Sequence, residues 1–113
     1  MKQLGDSVSA KKVIVQFPFV DAADLDRWFQ IEETLHQAFA QANDGYVDGH
    51  DVGEGRFSIY IHVKSTWGPV LERIDAFLKL RGASGAATVV KFHPNTERYE
   101  VVRPVSFAGE FSI

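Results

Sequence analysis

The side chains of this sequence that could do chemistry are concentrated between residues 46 and 62. Neutral imidazole binds divalent metal ions and accepts protons near neutral pH, carboxylates orient imidazole rings, and hydroxyl groups donate hydrogen bonds. Six such side chains occur at alternate positions of two neighbouring segments: Tyr46, Asp48, His50, Ser58, Tyr60 and His62. Because residues two apart on a β-strand point to the same face, this spacing predicts that the six side chains meet on one surface of a sheet.

The pairing of the two segments in a hairpin decides whether this cluster forms. Residues 53–55, Gly-Glu-Gly, predict a three-residue turn that places Val52 opposite Arg56. The cross-strand pairs that follow are Tyr46 with His62, Asp48 with Tyr60, and His50 with Ser58. A slip of one residue would instead bury Asp48 and His50 beneath apolar cover, where unpaired polar groups are costly. The polar pattern therefore favours this register.

Such a cluster has three interpretations. Asp48, His50 and His62 together could ligate a metal ion, although their spacing matches no established ligand signature closely. Alternatively, His50 or His62 acts as a general base that Asp48 orients, while Tyr60 donates to an oxyanion. In the third interpretation the cluster is a polar sheet face that meets solvent, a partner or a second copy of the chain, since Tyr and His rings suit interfaces. No phosphate-binding glycine loop precedes a helix, so we expect no cofactor. No Gly-x-Ser-x-Gly elbow surrounds Ser58, so Ser58 lacks the sequence context of a hydrolase nucleophile.

The composition limits the classes of protein and of chemistry. The chain has 113 residues, 12 Lys and Arg, 15 Asp and Glu, and no Cys, which gives a net charge of −3 at pH 7. The lack of Cys excludes disulfides, thiolate nucleophiles and Cys-ligated zinc, and the weak acidity argues against binding to nucleic acids or anionic membranes. No apolar run approaches the ~18 residues of a membrane span, and residues 1–10 lack the apolar segment of a secretory signal. We therefore expect a cytoplasmic protein with a loose leader at residues 1–10 and a single domain at residues 11–113.

Hydrophobic periodicity predicts five strands and two helices in the order β-α-β-β-α-β-β. The predicted elements are a strand at 12–19, a helix from 21 to about 42, a hairpin of strands at 46–52 and 56–63, a helix that starts after Ser65 and Thr66 and ends before Gly82, and strands at 88–93 and 98–102. Two helices with one apolar stripe each suit a two-layer α+β sandwich. Right-handed crossovers then give a ferredoxin-like plait with strand order 4-1-3-2 and an extra C-terminal edge strand beside the fourth. The alternative is a plain meander with the same helices.

The predicted sandwich covers one face of the sheet with helices and leaves the other face open. The side chains expected to join the six polar groups on the open face are Ile14, Gln16, Lys91 and His93. Residues 105–113 are unusually apolar for a chain end, because they include Phe107, Phe111 and Ile113. We expect part of this tail to dock on the domain or on a partner.

The hairpin segment resembles a group of small uncharacterised bacterial proteins. Residues 47–55 read Val-Asp-Gly-His-Asp-Val-Gly-Glu-Gly, and the resemblance lies in this V-D-G-x-D-x-G-x-G pattern together with the acidic, Leu-containing helix segment at 31–35. It extends over residues 13–103, but only the hairpin is distinctive. The resemblance implies a ferredoxin-like plait, no established activity and no catalytic residue. It draws attention to Asp48, Asp51 and Glu54, whose carboxylates could equally bond to backbone N–H groups around the hairpin.

Three functions stay open from the sequence. The lack of a complete catalytic constellation favours a non-enzymatic binding or protein-interaction module, which could form a homodimer through the open face or the apolar tail. The second is a small dimeric enzyme, or a metal or small-molecule site, on the open sheet face. The third is a bacterial immunity-type protein whose acidic surface masks the basic active site of a toxin.

Overall fold

The computed structural model describes residues 11–104 and Phe111. The elements are β1 (Lys12–Pro18), α1 (Ala22–Ala40), β2 (Gly45–Gly53), β3 (Arg56–Val63), α2 (Trp67–Leu80), a 3₁₀ turn (Ser84–Ala86), β4 (Thr88–His93) and β5 (Arg98–Arg103). The strands form one sheet in the order β2-β3-β1-β4-β5, and every neighbouring pair is antiparallel. The predicted α+β class, with two helices and a five-stranded sheet, is confirmed. The predicted leader at residues 1–10 and the tail residues Phe107 and Ile113 lie outside the described residues.

The first helix begins where the sequence provides carboxylate caps. Asp21 Oδ1 accepts a hydrogen bond from the backbone N–H of Asp24 at 3.0 Å, and Asp24 Oδ2 accepts one from the backbone N–H of Val20 at 3.0 Å. The first of these bonds satisfies a backbone donor that the first turn of a helix leaves unpaired. The capping residues therefore fix the point at which the chain turns from β1 into α1. Within the described residues, no helix is long and apolar enough to cross a membrane.

One hydrophobic core lies between the helices and the sheet. The buried side chains of the helices are Trp28, Ile31, Leu35 and Phe39 from α1 and Val70, Ile74, Phe77 and Leu78 from α2. The sheet contributes Val13, Val15, Phe17, Phe57, Ile59, Ile61, Val63 and Val89. The alternation of β1 and β3 thus places one apolar face of the sheet under both helices. Burial of each large apolar side chain in this layer stabilises the fold by about 1.5–3 kcal/mol.

The opposite face of the sheet is more apolar than predicted. Ile14 pairs with Val90, and both are at most 2% exposed although they lie on the side away from the helices. Lys91 instead pairs with the core residue Val13, so the prediction that Lys91 and His93 lie on the open face is wrong. Both side chains contact the ring of Trp67 at the start of α2, as amphipathic side chains do when their polar ends stay near water.

Candidate functional site on the sheet face opposite the helices

The hairpin that carries the predicted cluster closes with a two-residue turn. Gly53 pairs with Arg56, and the two residues between them have positive φ angles, 51° at Glu54 and 75° at Gly55. Positive φ at both positions is the geometry of a turn whose twist matches that of the flanking strands, which favours glycine at the second position. The predicted three-residue turn, with Val52 opposite Arg56, is therefore wrong by one residue.

A β-bulge at Asp48 divides the hairpin into two registers. Tyr46 pairs with His62 as predicted, but the pairing then shifts, so that Gly49 rather than Asp48 is the partner of Tyr60. The extra residue in β2 changes which face each later side chain points to. The remaining pairs beyond the bulge are His50 with Ile59, Asp51 with Ser58 and Val52 with Phe57. The predicted pairs of Asp48 with Tyr60 and of His50 with Ser58 are therefore wrong.

The bulge turns His50 to the helix side of the sheet. Its ring stacks on Phe57 with centroids 5.2 Å apart and meets the edge of Phe29, also at 5.2 Å. His50 Nδ1 lies 2.8–2.9 Å from the carboxylate oxygens of Glu32 in α1. The cost of placing His50 on this side is small, because the side chain is 36% exposed at the sheet edge and has a carboxylate partner.

Asp48, by contrast, keeps its predicted side of the sheet. Its Oδ2 is 3.8 Å from the ammonium of Lys12, and Lys12 pairs with His62 on the face opposite the helices. Asp48 and His62 therefore share a face from which His50 is absent. Neither the metal set of Asp48, His50 and His62 nor an Asp48–His50 acid–base pair is assembled. Among the residues that the structure describes, no group of three or more carboxylate and imidazole side chains converges to hold a metal ion.

Ser58 lies at the buried centre of this face. It is 1% exposed, and its Oγ accepts a hydrogen bond from Gln16 Nε2 at 3.1 Å. This pair satisfies two polar groups that would otherwise be costly at such a depth. Ser58 and Gln16 are on the predicted face, but their burial gives them a structural role rather than the exposure that a nucleophile needs.

Aromatic rings dominate the exposed part of the same face. We call this surface the aromatic face, and its members are Tyr46, Tyr60, His62, Phe92 and Tyr99. Tyr46 stacks on His62 with centroids 4.8 Å apart, and Phe92 lies 5.4 Å from Tyr99. Tyr46 and Tyr99 are 42% and 44% exposed, respectively. Sequence reasoning missed Phe92 and Tyr99, for which the alternation of apolar residues in β4 and β5 was the available signal.

The edges of the aromatic face carry charge and one tail residue. Lys12 Nζ lies 5.9 Å from the ring centre of Tyr60, and Lys64 Nζ lies 5.7 Å from that of Tyr46. Phe111, the described residue of the apolar tail, contacts Tyr99 with ring centroids 5.4 Å apart. The face is thus a mixture of rings, amine groups and carboxylates.

The surroundings of Tyr60 on the aromatic face shift the pKa of its phenol. Burial raises the pKa of Tyr60, and the nearby negative charge of Asp51 raises this pKa further, with a smaller contribution from Tyr99. Asp51 lies beside Tyr60 as a result of the bulge, since Asp51 pairs with Ser58 on the same side of β3. Tyr60 therefore keeps its proton to a higher pH than an ordinary tyrosine.

We predict that the phenol of Tyr60 titrates above the ordinary pKa of tyrosine. The difference between the tyrosinate absorbance curves of the wild-type protein and of Tyr60→Phe should have its midpoint above pH ~10, the ordinary value of tyrosine. In urea, which unfolds the protein, the midpoint of the same difference curve should fall to about pH 10. Because the pKa is raised in the folded state, the stabilisation linked to it is complete below pH ~10 and is lost as the pH rises through the folded pKa. A folded-state midpoint at or below the value in urea would contradict the burial of Tyr60 beside Asp51.

Comparison with known proteins gives no family for the chain. No protein-family model matches it, and no curated protein and no solved structure matches it either.

Proposed function

We propose that the protein is a protein-interaction module that forms a homodimer through its aromatic face. We further assign the domain to the ferredoxin-like plait with β5 as an additional edge strand. The observed order supports this assignment, because β4-β1-β3-β2 corresponds to 4-1-3-2 and β5 lies beyond β4. The helices cover one side of such a sheet and leave the other available to a partner.

The observation that carries the proposal is the exposure of two tyrosines on the side of the sheet opposite α1 and α2. Tyr46 and Tyr99 are each more than 40% exposed and belong to ring pairs that hold them in place. Tyrosine is enriched at protein interfaces because its ring buries a large apolar area while its hydroxyl still makes hydrogen bonds. Rings already held by neighbours also lose little conformational entropy on binding.

The charges around the aromatic face favour a second copy of the chain as the partner. Lys12 and Arg56 lie on the same side of the sheet as Asp48 and Asp51, so the face carries charges of both signs. In a dimer with two-fold symmetry the same patch meets itself, and a patch of mixed sign can pair unlike charges across the axis. A strongly charged partner would gain little from such a patch.

The resemblance to bacterial proteins with a V-D-G-x-D-x-G-x-G hairpin stays a proposal. The geometry of the hairpin gives a physical reason for two of the three glycines of this pattern. Gly49 has a φ of 146° directly after the bulge at Asp48, and Gly55 has a φ of 75° in the turn. Side chains other than glycine rarely adopt these angles. The pattern therefore suits a hairpin that orients Asp48 and Asp51 towards the aromatic face.

Sedimentation velocity tests the homodimer. The wild-type chain of 12.6 kDa should sediment as a dimer at concentrations above ~1 μM, and the double variant Tyr46→Ser/Tyr99→Ser should sediment as a monomer. Loss of two interface anchors should raise the dissociation constant by roughly 30-fold or more. Leu80→Ser is the matched control, because Leu80 is 82% exposed on α2 and away from the aromatic face.

Two outcomes would overturn the homodimer. One is a wild-type protein that remains monomeric up to roughly 100 μM, far above the concentration at which a specific dimer should form. The other is a dimer that the double tyrosine variant leaves intact while Leu80→Ser dissociates it, because the contact would then lie on the helix side. Circular dichroism of each variant establishes that the fold is retained.

A further inference from the structure

A second surface feature lies on the helix side of the sheet and shares no residue with the aromatic face. It is a cavity of about 350 Å³ between the start of α2 and the turn from β4 to β5. The lining residues are Lys11, Trp67, His93, Pro94, Asn95 and Thr96. This volume lies within the range of ordinary small-molecule sites, which begins at about 300 Å³.

Two ammonium groups lie over the indole ring of Trp67, which lines this cavity. Lys11 Nζ lies 5.5 Å and Lys91 Nζ 5.3 Å from the ring centre of Trp67. Lys11 also donates a hydrogen bond to the backbone carbonyl of Ser65. Among the described residues, neither ammonium forms an ion pair with a carboxylate. Lys11 thus lines the cavity and Lys91 lies beside it over the same indole ring, so two positive charges without a direct carboxylate partner in the described part of the chain border the cavity.

The carboxylate that pairs with the cavity residue His93 belongs to Glu100 in β5. Glu100 Oε1 lies 2.8 Å from His93 Nε2, and this hydrogen bond lowers the pKa of Glu100, with Lys91 as a second cause. His93 also meets the edge of the Trp67 ring at 5.4 Å, so the imidazole is held from two sides. Glu100 therefore orients His93 at the cavity wall, and it attracts Lys91 across the strand pair without forming a direct ion pair with either lysine.

We propose that this cavity binds a small phosphate monoester. A phosphate group with a charge near −2 matches the two ammonium groups of Lys11 and Lys91, and its oxygens suit several hydrogen-bond donors at once. The positive end of α2, whose first residue is Trp67, adds to the attraction. The cavity is larger than a phosphate group alone requires, and Trp67 and Pro94 form an apolar wall for the organic part of the ester.

The proposal is independent of the homodimer, because it depends on residues of the helix side. It is tested with phenyl phosphate as the probe, by isothermal titration calorimetry of the full chain. Binding should be observed for the wild type and should weaken at least about tenfold in Lys11→Met/Lys91→Met, which keeps the aliphatic stems but removes both charges. The matched control is Lys79→Met, since Lys79 lies at the far end of α2 with its side chain 73% exposed.

Two fragments of phenyl phosphate separate the contribution of its phosphate group to binding from that of its ring. Phenol, which lacks the phosphate, should bind at least about tenfold more weakly than phenyl phosphate, and inorganic phosphate should also bind more weakly. Equal binding of phenol, or equal loss of binding in Lys79→Met, would overturn the site. So would the absence of heat with the wild type, or unchanged binding in the double lysine variant with its circular dichroism spectrum intact.

Discussion

Trp28→Ala lowers the free energy of unfolding by about 3–5 kcal/mol, the cost of removing a large buried aromatic side chain. Trp28 is 3% exposed, and its ring stacks on Phe17 with centroids 4.2 Å apart and planes 10° from parallel. Its Nε1–H donates a hydrogen bond of 2.9 Å to the backbone carbonyl of Pro18. Alanine would leave both a cavity beside Phe17 and a carbonyl at the end of β1 without its donor.

The matched variant is Trp28→Phe, which keeps an aromatic ring but removes the donor. Its cost should be about 1–2 kcal/mol, the sum of one hydrogen bond and a small loss of volume. Urea unfolding of both variants, monitored by far-ultraviolet circular dichroism, gives the two free energies of unfolding. The slope of the free energy of unfolding against urea concentration should be the same in each variant as in the wild type, because this slope reports the surface that unfolding exposes. Equal stabilities of Trp28→Ala and the wild type would show that α1 does not pack on β1 through this ring.

The elements and most of the core could be predicted from the sequence because their signals are local. The alternation of Val13, Val15 and Phe17 is sufficient to identify β1 and its buried face, and all three are fully buried. The helical stripe of α1 is less well predicted, since Phe29 fits it yet is 42% exposed, while Ile31 fits it poorly yet is 6% exposed. Phe29 instead packs against His50 and Phe57 at the sheet edge, so the surroundings of α1 decide which side chains are buried.

The register beyond the bulge could not be predicted, because its causes are not local. The sequence pattern alone predicts that a slip of one residue buries both Asp48 and His50 without partners. The bulge separates the two, leaving Asp48 outside and giving His50 the carboxylate of Glu32, which is 18 residues away in the chain. Gly49 was the local sign of a bulge, but a glycine within a strand equally marks a tight bend or a close approach of another backbone.

Sequence reasoning identifies three of the five members of the aromatic face and misses the other two for a related reason. Its β2 and β3 members, Tyr46, Tyr60 and His62, were identified by their polar groups. Its β4 and β5 members depend on which face of β4 turns towards the helices, and Lys91 and His93 look like solvent-facing residues in a sequence. The pairing of Lys91 with Val13 places both on the helix side, where the ring of Trp67 at the start of α2 gives their side chains a surface to pack against.

The second large effect concerns an ion pair that attaches α2 to the start of the edge strand. Arg73 Nη2 donates to Asp44 Oδ2 at 3.0 Å, and the Asp44 side chain is only 15% exposed. The guanidinium also lies 5.4 Å from the ring centre of Phe39. Arg73→Ala should therefore lower the free energy of unfolding by about 2–3 kcal/mol, because it leaves a carboxylate with little access to water unpaired and removes packing on Phe39.

Asp44→Ala should cost less, about 1–2 kcal/mol, because the Arg73 side chain is 38% exposed and its charge can turn to solvent. A larger loss of unfolding free energy in Arg73→Ala than in Asp44→Ala distinguishes a half-buried ion pair from a surface pair. In a surface pair both single variants would lose the same small amount. Urea unfolding of the two single variants and of the double variant gives the coupling energy directly.

Since Asp44 immediately precedes β2, Arg73→Ala should also loosen Tyr46 and weaken the proposed dimer. A stable Arg73→Ala variant that dimerises normally would show that the edge strand β2 is held by its pairing with β3 alone.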